Sequence, residues 1–231
     1  MTYSLLARDP DHDRFAVAVV TCQLAVGAFV PHTRAGTGAI ATQGETNPLF
    51  GSRGLELLAS GMPADAVLER LLQEDAGRDF RQVHLLDANG PIAAWTGPQT
   101  AASAGHRSAA NVSVAGNFLA GAEVLDETLE RWLQTEHLPW PERLIAALRA
   151  GQEAGGDRRG RQSAALRIQG AEVYADLDLR VDNAPEPLEE LATLVTEARK
   201  PYVADFSRAT PCRAEPGRTP DSADPQQPLP Y

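Results

Sequence analysis

Tyr3-Ser4-Leu5-Leu6-Ala7-Arg8 and Arg14-Phe15-Ala16-Val17-Ala18-Val19-Val20-Thr21-Cys22 flank the run Asp9-Pro10-Asp11-His12-Asp13. Both flanks are rich in alternating β-formers and the middle consists of turn residues, so this stretch reads as a β-hairpin. The class of fold then depends on the order in which further elements follow it.

A third strand fits Gly38 to Gln43. Asn47-Pro48 supplies a cap and a first-turn proline for a helix reaching about Ser60, and Gly61-Met62-Pro63 breaks it. The spacing of Val67, Leu68, Leu71 and Leu72 predicts a second helix over 64–74. Strands return at 82–87 and 92–96 across Asn89-Gly90, a strong hairpin signal. A strand over 111–115 is followed by two helices, 122–136 and 141–153, with apolar stripes that include Val124, Leu125, Leu129, Trp132, Leu144, Ile145 and Leu148. A last hairpin pairs 163–168 with 172–181 about Gln169-Gly170, and a helix covers 188–199. Grouped strands separated by paired helices do not match the regular alternation of a doubly wound parallel sheet. They suit an α+β fold in which two stacked sheets carry helices on both outer faces, a four-layer αββα sandwich. One domain is expected over 1–200. From Pro201 onward seven prolines fall within 31 residues, so 201–231 reads as a disordered tail with too little apolar surface to offset its ordering entropy.

Composition narrows the partners. The chain has 231 residues, 43% of them hydrophobic, and a net charge of −10. Its acidic residues are spread along the chain, and phosphate binding calls for clustered Lys and Arg, so nucleic acid is not an expected partner. No stretch approaches the ~20 apolar residues of a membrane span. Two distant cysteines, Cys22 and Cys212, with no secretion signal, point to a reducing cytoplasm without a disulfide framework; Cys22, ending an apolar strand, reads as a small core residue.

The chemistry begins at Thr2. A start methionine followed by a small residue is a normal target for removal, and with no leader ahead of it Thr2 would become the first residue. An N-terminal threonine holds a hydroxyl nucleophile and, on the same residue, an amine able to act as its base. That amine titrates near ~8, so much of it is available around neutrality. Against this stands the ordinary reading, that a Met-Thr start carries no chemistry.

Five scattered histidines, His12, His32, His84, His106 and His137, show no zinc-site spacing, and no metal or other cofactor is expected. No nucleophile elbow, P-loop or dinucleotide fingerprint is present. His106, in Ala104-Gly105-His106-Arg107, falls in a predicted loop, where it either contacts a ligand or is simply solvated. The run Gly155-Gly156-Asp157-Arg158-Arg159-Gly160-Arg161 is either a solvated connection or a cradle whose arginines hold a carboxylate through bidentate contacts. In the run from Gly36 to Pro48 small residues lead a strand into a helix start. Exposed amides there could stabilise an oxyanion, and tight strand packing explains the same residues equally well.

Taken in order, several stretches resemble a bacterial family known only as a domain of unknown function (family ten twenty-eight). They are the Thr-Tyr-Ser-Leu-Leu-Ala-Arg-Asp-Pro opening, Leu24-Ala25-Val26-Gly27-Ala28 with Pro31-His32, Ala41-Thr42-Gln43 with Asn47-Pro48, and Arg81-Gln82-Val83. Ala104-Gly105-His106, Gly116-Asn117, the run from Gly155 to Leu166, and Asp178-Leu179-Arg180-Val181-Asp182 complete the set, over about residues 1 to 195. That family is placed among the Ntn hydrolases, the proteasome-like superfamily, so the resemblance implies the same αββα sandwich and cleavage of an amide bond by an N-terminal threonine. It puts Thr2 at the nucleophile, Gly44 at the glycine whose amide forms the oxyanion hole, Asn117 beside the nucleophile and Asp157 on the loop behind it. Arg34 stands where proteasome-type subunits carry a lysine. Arginine does not give up its proton, so it can stabilise charge but not shuttle protons. The proteasome-type aspartate of the second strand has no counterpart among Phe15 to Val20.

The expected function is therefore an Ntn-type amidohydrolase cleaving a small amide or peptide-like C–N bond. Thr2, Arg34, Gly44, Asn117 and Asp157 would form the catalytic set, with His32, His106, Arg158 and Arg161 as substrate contacts. A small-molecule amide is the expected partner, and the resemblance implies a homo-oligomer. The alternative is a non-catalytic binding or assembly protein that retains the sandwich, since a fold alone does not fix a function.

Overall fold

The opening hairpin forms as the sequence dictates. In a computed structural model that describes residues 2–101 and 103–231, strands β1 (Thr2–Asp9) and β2 (Arg14–Thr21) pair antiparallel from Thr2↔Thr21 to Asp9↔Arg14. The turn is fixed by Asp9, whose Oδ1 accepts the amides of Asp11 and His12. The chain continues through β3 (Pro31–Arg34), β4 (Gly38–Gly44), α1 (Leu49–Ala59), α2 (Ala64–Glu74), β5 (Arg81–Asp87), β6 (Ile92–Thr96), β7 (Gly105–Ala109) and β8 (Val112–Asn117). Then come α3 (Glu123–Gln134), α4 (Trp140–Glu153), β9 (Ser163–Gln169), β10 (Leu177–Val181), α5 (Pro187–Ala198) and α6 (Pro201–Ala209).

The result is a mixed α/β fold with two antiparallel sheets and six α-helices among the described residues. One sheet has the order β10-β9-β2-β1-β8-β7 and the other β3-β4-β5-β6. Strand alternation sorts the side chains into three groups. Tyr3, Leu5 and Ala7 of β1, with Ala16, Ala18 and Val20 of β2, pack with α3, α4 and α5. Ile40, Val83 and Leu85 of the smaller sheet pack with α1 and α2. Between the sheets lie Leu6, Phe15, Val17, Val19, Ala39, Ala41, Leu86 and Ala165. Thr2, Ser4 and Thr21 share this inward face, because they sit an even number of residues from Leu6 or Val19.

Four expectations differ from the structure. β3 and β7 are strands that the sequence reading left out, and His106 lies on β7 instead of in a loop. Gly105-His106-Arg107-Ser108-Ala109 has few β-formers. It is held by pairing with β8 across a turn in which Asn111 adopts a left-handed φ of 60°. β10 starts at Leu177, not at Glu172, because the buried Gln169 amide donates to Glu172 O at 2.6 Å and Tyr174 O at 3.0 Å and holds the chain as a loop. Cys22 falls just beyond β2 and is half-buried, its thiol donating to Arg159 O at 3.3 Å. The segment 201–231, expected to lack order, contains α6, where Ala204 is buried. The chain then returns to lay the Tyr231 hydroxyl on Ala198 O at 3.1 Å.

Candidate active site

Thr2 occupies the first position of β1, at the end of the strand away from the hairpin turn. Its register partners are Thr21 on β2 and Asn117 on β8. All three side chains point toward the second sheet, and the Thr2 and Thr21 Oγ1 atoms stand 3.1 Å apart. Opposite them β4 ends at Gly44, with φ +80°, a backbone conformation that favours glycine. A Cβ there would also sit 2.8 Å from Phe80 O. Thr2, Thr21, Gly44 and Asn117 line one cavity of about 620 Å³. Its walls add Gln23, Leu24, Phe29, Glu45, Phe80, Gln99, Thr100, Phe118 and Arg159, among others.

Beneath this floor runs a fully buried polar seam between the sheets. Its directions follow from two backbone carbonyls. Gln82 Nε2 lies 3.0 Å from Gly105 O and 2.8 Å from Gly116 O, so that atom is the donor and Oε1 the acceptor. Oε1 therefore receives Asn117 Nδ2 and Gln43 Nε2, both at 2.9 Å. Gln43 Oε1 then takes the Ser4 hydroxyl proton at 2.8 Å. Having given that proton away, Ser4 Oγ accepts from His84 Nε2 at 2.9 Å, and His84 Nδ1 accepts from Ser113 Oγ at 2.9 Å. His84 is thus a neutral Nε2–H tautomer, and burial drives its pKa down to about 3. Thr96 Oγ1 extends the seam outward, 2.9 Å from Gln82 Nε2 and 3.1 Å from His106 Nδ1.

Asp157 sits behind the end of β2. Its Oδ2 accepts the Cys22 amide at 3.1 Å and its Oδ1 the Arg159 amide at 2.7 Å. Burial nevertheless pushes its carboxyl up to about 6. Asp157 does not line the cavity. It clamps the residue that follows Thr21 to the arginine loop.

The remaining named residues lie elsewhere. Arg34 pairs with Gly38 at the opposite end of β4 from Gly44. The two ends lie six residue steps of strand apart, on the order of 20 Å, and Arg34 does not reach the cavity. His32 packs against Gly51, donates from Nε2 to Phe29 O at 3.1 Å, and has its pKa lowered by burial. Arg158 Nη2 donates to Ser103 Oγ at 2.9 Å, and Arg161 is ion-paired with Glu186. Of the arginines in that loop it is Arg159, between the two that were named, whose side chain lines the cavity, its guanidinium 4.8 Å from the Phe118 ring centroid. The sequence reading also missed Thr21 and the seam. Their signal is polar residues in the inward-facing phase of otherwise apolar strands: Thr2 and Ser4, Thr21, Gln82 and His84, and Ser113 and Asn117. Among the described residues no group of His, Cys, Asp and Glu is arranged to hold a metal ion, and no helix is long and apolar enough to cross a membrane.

The crystal structure of protein SPO2555 from Silicibacter pomeroyi, itself assigned to DUF1028, is similar to this chain. It matches with a TM-score of 0.88 and 29% identity, over 94% of this chain and 98% of that one. Among curated proteins nothing matches. Residues 2–191 match the family described as "Family of unknown function (DUF1028)", and a match over so much of its length places the chain in that family: it is a member of DUF1028.

Proposed function

We propose that the protein is an Ntn-type amidohydrolase cleaving a small amide or peptide-like C–N bond, and that its sheets and helices form the four-layer αββα sandwich of that superfamily. The observation that carries this reading is the meeting of Thr2, Gly44 and Asn117, contributed by both sheets, in one cavity. A cavity of about 620 Å³ falls in the ~300–1,000 Å³ range of small-molecule sites.

In the proposed reaction Met1, which lies outside the described residues, is removed. The Thr2 hydroxyl then attacks the amide carbonyl as its proton passes to the Thr2 α-amine. The tetrahedral oxyanion is met by donors at the Gly44 strand end and by the Asn117 Nδ2 hydrogen not engaged by Gln82. The C–N bond breaks as the α-ammonium returns its proton to the leaving amine, and water, deprotonated by the same amine, hydrolyses the ester to free Thr2. Thr21 holds the Thr2 hydroxyl, and Asp157 acts through the backbone of Cys22. Arg34 takes no part in this reaction, because it lies at the far end of β4 from Gly44. The cavity lining includes no lysine, and that observation favours the second reading, a ligand-binding protein without turnover.

Intact-mass measurement of the purified protein, before and after exposure to a β-lactone, separates the two. Loss of one methionine residue, and an acyl adduct that maps to Thr2 and is absent in Thr2→Ala, are expected. A fully retained Met1 would leave no α-amine on Thr2 and end the catalytic reading.

A further inference from the structure

The walls of the Thr2 cavity differ in kind from its floor. The floor is hydroxyl, amide and glycine: Thr2, Thr21, Asn117 and Gly44. The walls carry large apolar side chains that stand open to solvent, Leu24 at 60%, Phe29 at 51%, Phe80 at 44% and Phe118 at 40% exposure. Burying such side chains is favourable, so a cluster of them left exposed around one concavity marks a surface built for an apolar partner.

Backbone conformation points to the same walls. Among the described residues, besides Asp13 and Asn111, which lie in hairpin turns, the left-handed non-glycine residues are Ala25, Ser103 and Phe118, with φ of 55°, 57° and 55°. Ala25 lies in the segment that supplies Leu24, Val26 and Phe29 to the cavity, and Ser103 O accepts the Leu119 amide beside Phe118. A bulky residue at positive φ costs free energy, and such outliers persist where surrounding structure enforces them, often at ligand sites. Phe118 follows Asn117 directly, so the left-handed turn that ends β8 is also what presents its ring to the cavity beside the Arg159 guanidinium.

We infer that the cavity selects amides bearing a bulky apolar group, aromatic or branched aliphatic. That group would lie against Phe118, Phe29 and Phe80 while the amide rests on the polar floor. This rests on the reading of the cavity as an amide site and adds the class of substrate to it. Leu24 and Phe29 line the same cavity as Phe118, so an amide without such a group leaves these side chains in water.

Binding to the full-length protein tests it with N-acetyl-phenylalanine amide, N-acetyl-leucine amide and N-acetyl-glycine amide, followed by titration in ligand-observed NMR. The phenylalanine and leucine amides are expected to bind about tenfold tighter than the glycine amide, or more. Phe118→Gly removes the ring and relieves the positive φ, so it is expected to fold normally and to abolish most of that preference. Phe29→Ala should reduce it as well. Equal affinities, no binding by any of the three, or a preference untouched in Phe118→Gly would each overturn the inference. The β-lactone experiment decides the hydrolase reading separately. Thr2 acylated with no side-chain preference removes only the substrate class, and a preference with unreactive Thr2 removes only the chemistry.

Discussion

The two halves of the layer between the sheets are built on different principles. Toward the Asp9–Arg14 turn and β3 the sheets meet through Leu6, Phe15, Val17, Val19, Ala39 and Leu86. Toward Thr2 they meet through Ser4, Gln43, Gln82, His84, Ser113 and Asn117, all buried and joined by hydrogen bonds. Apolar contacts are non-directional and tolerate small slides of one sheet over the other. A chain of directed donors and acceptors does not, because each shift breaks a bond in a dry environment. The cavity opens at the polar end. Residues from two sheets must keep a fixed relation there, and the seam supplies it.

The comparison breaks most severely at Gln82. Gln82→Leu removes the acceptor for Asn117 and Gln43 and the donor for the carbonyls of Gly105 and Gly116. With about 1–3 kcal/mol for each buried group left unsatisfied, a loss of about 4 kcal/mol or more is expected in chemical denaturation. Reactivity at Thr2 should fall with it, since Asn117 loses its anchor. In the apolar half, Leu6→Ala is expected to cost about 3 kcal/mol through lost burial and a residual cavity, while the rate of Thr2 acylation under native conditions stays close to that of the unaltered protein. If both substitutions affected Thr2 equally, the division of labour between the halves would be wrong.

The unequal legibility of the two halves has the same physical root. The opening hairpin, the Asn89-Gly90 turn, where Gly90 takes φ 101°, and the helix at 64–74 follow from local spacing and turn chemistry, and they were readable. The Asn47 cap was too, its Oδ1 accepting the Leu49 amide at 3.1 Å. The seam was not, because Gln82 and His84 make sense only beside Ser4, Gly116 and Asn117, partners that the fold brings in from other strands. Arg34 was placed by resemblance. Because β3 went unread, nothing showed that the β3–β4 turn carries Arg34 to the end of the sheet away from Gly44. Arg159 is the reverse case: its run stands out in the sequence, but only the loop geometry of Asp157 decides which arginine faces the cavity.

A smaller effect tests whether the seam is neutral, as its donor directions require. His84 has its pKa lowered from 6.5 to about 3 in the folded protein, so the unfolded chain binds more protons between those values. Its contribution to stability is full above about pH 6.5 and is lost as pH falls toward 3, at up to about 1.4 kcal/mol per pH unit. Asp157 and Asp176, both raised to about 6, act with the opposite sign: the folded state binds the extra proton, and their effect on stability improves as pH falls through 6 toward 3.8. The total curve mixes these, so the measurement is a difference. His84→Gln keeps a donor for Ser4 and an acceptor for Ser113 but cannot titrate. Compared with the unaltered protein, it should lose less stability between pH 6.5 and 4.5 in parallel denaturant titrations, and identical slopes would mean that His84 is not held neutral.

The smallest effect is expected at Arg34, where the comparison with proteasome-type subunits would place the largest. A cation that assists the nucleophile must stand within a few ångströms of it, because screened interactions between exposed charges fade over about 10 Å at 0.1 M salt. Arg34 is exposed and on the order of 20 Å of strand from the Gly44 end of the cavity. Arg34→Ala should therefore change stability by less than about 0.5 kcal/mol and leave both the β-lactone adduct at Thr2 and its rate of formation unaltered. Arg159→Ala, whose guanidinium borders the cavity beside Phe118, should change that rate in the same assay. A rate that responded to Arg34 and ignored Arg159 would mean that the arrangement around Thr2 differs from the one the two sheets define.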